Sequence, residues 1–140
     1  MLLSSTCQHA LRALIHLARR YDQGPVLVRE IAKSANIPRP FLSKILYDLK
    51  RIDLVRSVKG PGGGFVLSQS PDQTTLGQVV DAIDGLDTIR ERCLLGLKEC
   101  SDDSPCPLHE YWSTARADYL RTLETVTLRD ATLAVTRSGG

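Results

Sequence analysis

Leu54-Val55-Arg56-Ser57-Val58-Lys59-Gly60-Pro61-Gly62-Gly63-Gly64-Phe65-Val66-Leu67-Ser68 is the stretch whose reading decides the fold. Residues 54–58 and 65–68 are rich in β-branched and aromatic side chains. Between them stand a lysine, a proline and four glycines. Such runs, bounded by glycine and proline, read as two strands joined by a tight connection. The pattern predicts a β-hairpin with Lys59 near its tip. Gly60, Gly62, Gly63 and Gly64 carry no side chains, so another surface can approach the backbone closely.

Three helices are expected before the hairpin. Over 6–20, Ala10, Leu11, Leu14, Ile15, Leu17 and Ala18 form an apolar stripe at helical spacing, with Ser4, Ser5 or Thr6 as cap. Gly24-Pro25 breaks the chain. A short helix over 29–35 turns Ile31 and Ala32 inward and ends at Asn36, a residue that tolerates the left-handed conformation. Pro38-Arg39-Pro40 opens a third helix. Its expected inner face is Phe41, Leu42, Ile45, Leu46 and Leu49. Its outer face carries Arg39, Ser43, Lys44, Tyr47, Lys50 and Arg51.

Two short helices, a polar-faced helix and a glycine-rich hairpin follow the order of a winged helix-turn-helix. A helix fits the major groove of DNA, which is ~12 Å wide. Arg39 and Lys44 suit phosphates or guanine edges, and Ser43 and Tyr47 suit phosphate or base. Lys59 with Gly60, Gly62 and Gly63 suits the minor groove or the backbone. The charge distribution agrees. Residues 1–70 hold eleven Lys+Arg and four Asp+Glu, a net +7, whereas residues 71–140 hold seven and twelve, a net −5. Those halves sum to the overall +2 of the 140-residue chain, and a basic half points to an anionic partner. A merely solvated basic face is the competing reading.

Downstream, Thr75 and Gln78 have capping-box spacing ahead of Leu76, Val79, Val80 and Ile83, with Gly85 as the stop. A loop-like stretch follows over 93–106. From Pro107 to Val126 the residues Leu108, Trp112, Ala115, Tyr119, Thr122 and Val126 recur at steps of four and three. A helix of that length would span ~30 Å. It needs a partner surface, for which a second copy is one candidate and its own domain the other. A short helix over 127–133 and a frayed end at 137–140 complete the expectation. No run approaches the ~20 apolar residues of a membrane span, and no secretory signal is visible, so a cytoplasmic protein without a membrane partner is expected.

Four cysteines in such a setting are not expected to form structural disulfides. Cys93, Cys100, Cys106 and His109 have the spacing Cys-x6-Cys-x5-Cys-x2-His. Three thiolates and an imidazole suit zinc or an iron–sulfur cluster. Structural zinc usually shows cysteine pairs two to four residues apart, and none occurs here. Cys7 lies on the apolar stripe of the first helix, where it reads as a small buried hydrophobe; a ligand reaching across a dimer is the alternative. His9 and His16 read as surface or boundary residues. Neither a nucleophile–base–orienter set nor a phosphate loop is apparent, so the chain does not read as an enzyme.

These features together resemble the Rrf2 family of iron–sulfur-dependent winged-helix repressors. The resemblance covers essentially the whole chain. It rests first on the wing at 54–65, then on the three cysteines and the Cys106-Pro107-Leu108-His109 sequence. It implies that Cys93, Cys100 and Cys106 hold a cluster and that the long helix makes a homodimer. His109 matches the fourth ligand of one branch of the family. In the nitric-oxide-sensing branch an acidic residue of the other subunit does this; Gln8 stands at that position here, which favours His109 and a [2Fe–2S] over a [4Fe–4S] cluster. Arg39, Ser43 and Lys44 fall where the family's recognition helix reads DNA.

The expected architecture is mainly α with a small β-hairpin. Residues 1–70 form the winged helix-turn-helix, 71–106 a linking helix and cysteine loop, and 107–140 the dimerisation helix and a short tail. The expected function is that of a transcription regulator, a repressor binding a double-stranded operator with two half-sites. Its affinity would follow a cluster that senses redox state, nitric oxide or iron and cluster supply. The competing readings are a winged-helix regulator with a zinc or thiol-redox site, and a cluster carrier or electron-transfer protein that does not bind DNA.

Overall fold

A computed structural model of the chain describes residues 3–98 and 100–137, without the side chains of Thr88 and residues 134–137. The expected tail at 138–140 lies outside the described residues. The order is α1 (Ser5–Arg19), α2 (Val28–Ala35), α3 (Arg39–Arg51), β1 (Val55–Val58), β2 (Gly64–Leu67), α4 (Leu76–Ile83), α5 (Asp87–Glu91), α6 (His109–Thr125) and α7 (Leu128–Arg137). This is the mainly helical, winged architecture that the sequence implies. Among the described residues no helix is long and apolar enough to cross a membrane.

Of the three candidate caps for α1, Ser4 is the one used: its Oγ accepts from the Cys7 amide at 3.0 Å. Ser4 also ties α1 to the end of α4, since its amide donates to Asp84 Oδ2 at 2.9 Å. Buried Cys7, Ala10, Leu11, Ala13, Leu14, Leu17 and Ala18 make α1 the central column of the core. It packs against α2, α3, α4 and α7. Asn36 ends α2 in the left-handed region with φ 55°.

In α3 the inner face is Leu42, Ile45, Leu46 and Leu49, at i, i+3, i+4 and i+7. Phe41 is not part of it. One residue before Leu42 on the helix means ~100° of rotation, and Phe41 is 61% exposed. The strands pair antiparallel, with Val55 opposite Leu67 and Val58 opposite Gly64. Val26, just before α2, forms a bridge to Phe65, with both of its hydrogen bonds at 2.9 Å. That bridge fixes the wing on the helical body.

The α4 capping box forms as expected: Gln78 N donates to Thr75 Oγ1 and Thr75 N to Gln78 Oε1. Gly77 lets α6 cross closely, because a Cβ there would lie 2.9 Å from the Leu123 carbonyl oxygen. Three elements differ from expectation. The long helix opens at His109 rather than Pro107, with Leu108 as its N-cap, and closes at Thr125. The short α5 has no periodic apolar signal. The last helix runs on to Arg137, opened by a reciprocal pair of bonds between Thr127 and Asp130. One continuous core includes Leu14, Leu46, Val79, Val80, Leu123 and Leu128. The hairpin and the cysteine loop therefore project from a shared body.

Candidate functional site

The cysteine loop joins α5 to α6. Cys93 lies two residues beyond α5, and Cys106 three residues before α6. The loop folds back so that the sulfurs of Cys93, Cys100 and Cys106 all lie within 4.8 Å of one another. Cys93 Sγ and Cys106 Sγ are 3.7 Å apart. All three are free thiols. His109, in the first turn of α6, places Nδ1 3.3 Å from Cys100 Sγ. The expected four-residue set is thus assembled in one place.

Electrostatics at the sulfurs differ. Cys93 is lowered to about 7, first by the Leu97 backbone amide, then by that of Leu95 and the neighbouring thiols, against the opposing effect of burial. At Cys100 the largest influence, the Cys106 backbone amide, lowers the value. Burial and the adjacent thiols outweigh it, so the net shift is upward. Amides aimed at a sulfur stabilise a thiolate, the form that binds metals. Three convergent thiols plus an imidazole are soft donors that fit an iron–sulfur cluster.

Two further contacts tie the start of this loop to α6, and the sequence does not disclose either. Trp112 Nε1 donates to the Arg92 carbonyl at 2.8 Å, and Arg116 Nη1 to the same oxygen at 3.3 Å. Trp112 belongs to the stripe expected to meet a second copy, yet its indole is turned to its own loop. Tyr119 of the same stripe packs against the chain's own core. Ala115 instead lies on an open face of α6 with Tyr111, Thr114 and Asp118.

Cys7 is fully buried, and burial followed by the Asp84 charge pushes its thiol up to about 12. It behaves as the small hydrophobe expected of it.

On the second face, Arg39, Ser43, Lys44 and Tyr47 are all exposed on α3, with Phe41 beside them. Lys59, Gly60 and Gly62 are exposed at the hairpin tip. Gly63 is buried instead: a Cβ there would clash with the Val58 carbonyl and lie 2.8 Å from that of Gly60. Its close approach is to its own chain. The helices beneath are held by Arg12, whose Nε donates to the Ala35 carbonyl at 3.0 Å. Glu30 receives His16 Nε2 at 2.9 Å and Arg20 Nη1 at 2.7 Å.

The profile of the family described as "Rrf2: Iron-dependent Transcriptional regulator" matches residues 3–133. The chain belongs to the Rrf2 family. An HTH-type transcriptional regulator of Aquifex aeolicus (strain VF5) is 39% identical over 132 residues, 93% of this chain and 90% of the relative. The transcriptional regulator IscR of Sodalis glossinidius is 29% identical over 93% of this chain and 78% of its own. Among solved structures, CymR, the global cysteine regulator of B. subtilis, superposes with a TM-score of 0.78 at 26% identity. That match covers 94% of this chain and 96% of CymR. The Rrf2 chain is accordingly a transcriptional regulator of a DNA-binding family, and not an enzyme. The row Cys100–His109–Asp102 has the order of a thiol, a base and an orienting carboxylate. The other two thiols converge on the same point, a grouping that could hold a metal ion.

Proposed function

We propose that this Rrf2 protein is a homodimeric repressor whose operator affinity follows the state of an iron–sulfur cluster. Cys93, Cys100, Cys106 and His109 would hold the cluster, with [2Fe–2S] favoured over [4Fe–4S]. The observation that carries this reading is the convergence of three thiols, the outer two thirteen residues apart, with His109 Nδ1 beside Cys100 Sγ. When bound, such a cluster supplies a centre whose charge and integrity respond to electrons, oxidants and nitric oxide. The family's description as an iron-dependent regulator supports an iron-containing site.

The chain's own residues give a route from site to DNA. Ligation fixes Cys93, and the preceding carbonyl of Arg92 holds Trp112 and Arg116 of α6. α6 packs on α4, and α4 on α1, the column that carries the helix-turn-helix. Residues 1–70 would read DNA, through Arg39, Ser43, Lys44 and Tyr47 in the major groove and Lys59, Gly60 and Gly62 at the wing. Gly63 supports the wing's turn. Residues 71–106 would carry the cofactor, and the open face of α6 would join two copies. A dimer sets two half-sites about one helical turn, ~34 Å, apart.

A single zinc ion is the second reading. The 3.7 Å between Cys93 and Cys106 is near the edge of a tetrahedron whose Zn–S bonds are ~2.3 Å. Anaerobic purification with iron, sulfide and zinc analysis separates the two. A coloured protein with iron and sulfide in equal amounts supports the cluster. A colourless protein with one zinc per chain contradicts it.

A further inference from the structure

Beyond the four candidate ligands, the loop carries a residue with a defined relation to one of them. Asp102 Oδ1 lies 2.8 Å from His109 Nε2, while His109 Nδ1 faces Cys100 Sγ at 3.3 Å. A carboxylate oxygen accepts a hydrogen bond and does not donate one. Nε2 therefore carries a proton, and in the neutral ring the Nδ1 lone pair points among the thiols.

We propose that Asp102 is a positioning residue of the cluster site, which holds His109 in the Nε2–H tautomer with Nδ1 as the ligating atom. The proposal rests on the cluster reading above. Carboxylates commonly orient metal-bound imidazoles in this way and raise their basicity as donors. The ring has a fixed base: its backbone amide bonds the Cys106 carbonyl at 3.1 Å. Its side chain is only 17% exposed, so few orientations are open to it. Asp102 itself is 98% exposed. Solvent screens its charge, which sets the expected effect at the low end of the 10–100-fold range known for such outer partners.

The test compares anaerobically prepared holoprotein carrying Asp102→Ala, Asp102→Asn or, as a control, Asp103→Asn with the unaltered chain. Three readouts are taken: the rate of cluster loss to a chelator, the midpoint potential, and the histidine nitrogen hyperfine coupling of the reduced cluster. Asp102→Ala is expected to lose its cluster about tenfold faster, to shift to a more positive potential, and to change the nitrogen coupling. Asp102→Asn keeps an acceptor oxygen, so it should restore retention and coupling while its potential stays displaced. Asp103→Asn should match the unaltered protein. A coloured wild type whose Asp102→Ala variant is unchanged in all three readouts overturns this proposal alone. A wild type without iron overturns the cluster reading and this proposal together.

Discussion

Replacing Gly64 by alanine tests whether the wing glycines serve the fold or the DNA. Gly64 has φ +144°, a conformation that L residues rarely adopt. An added Cβ would clash with the Val26 carbonyl oxygen and lie 2.6 Å from its carbon. Backbone cannot swing aside as a side chain can, so the Val26–Phe65 bridge must open. Its two hydrogen bonds contribute about 0.5–1.5 kcal/mol each, and forced overpacking costs about 1–3 kcal/mol. The expected loss is about 2–6 kcal/mol, a large part of the ~5–15 kcal/mol that holds a domain folded. Gly62 makes the contrast. Its φ is +76°, and a Cβ there meets nothing within 4 Å. Only the left-handed strain remains, about 1–2 kcal/mol. Urea titration at constant m-value measures both, and operator titration of the folded proteins follows. Gly64→Ala should lose stability first, and Gly62→Ala chiefly operator affinity. Equal losses of stability would refute the assignment of Gly64 to the bridge.

Lys44→Ala on the exposed face of α3 should weaken operator binding by about 1–3 kcal/mol if a base is read, or reduce the salt dependence if a phosphate is contacted; unchanged binding on both counts contradicts this face. Ala115→Glu should dissociate the dimer by burying an unpaired charge on the open face of α6, which sedimentation detects as monomer at concentrations where the wild type is dimeric. Glu30 is held below the ordinary carboxylate range, first by its hydrogen bond from His16 and then by Arg20. Its contribution is therefore present above that range and lost as pH falls through it. Because Glu30 is 42% exposed, Glu30→Gln should lower stability by at most about 1 kcal/mol near neutrality. The difference from wild type should vanish in acid, as thermal melts at both pH values will show.

Much of this was legible because the signals are local. Thr75 and Gln78 name a capping box by spacing alone, and Asn36 declares a helix end. The glycine-rich run from Gly60 to Gly64 marks the hairpin. The three cysteines and His109 are visible as chemistry before any fold is known. What escaped depends on contacts between distant residues. Phe41 sits beside a true seam residue, and only packing tells that Leu42 leads the inner face. Trp112 reads as an interface aromatic, yet its indole finds the Arg92 carbonyl twenty residues earlier. Gly63 looks like an open approach for DNA until the turn folds it onto Val58. Asp102 lies in an acidic loop with no spacing that links it to His109.

The central claim is that the cluster sets DNA affinity. The direct measurement is fluorescence anisotropy on one selected operator under anaerobic conditions, with holoprotein, chelator-stripped protein and Cys106→Ala side by side. Coupling between two sites is typically ~1–3 kcal/mol, a factor of about 5–150. The account predicts a difference of that size between the holo form and the two cluster-free forms, which should agree with each other. Three identical binding curves, with the cluster demonstrably present in the first protein only, would contradict it.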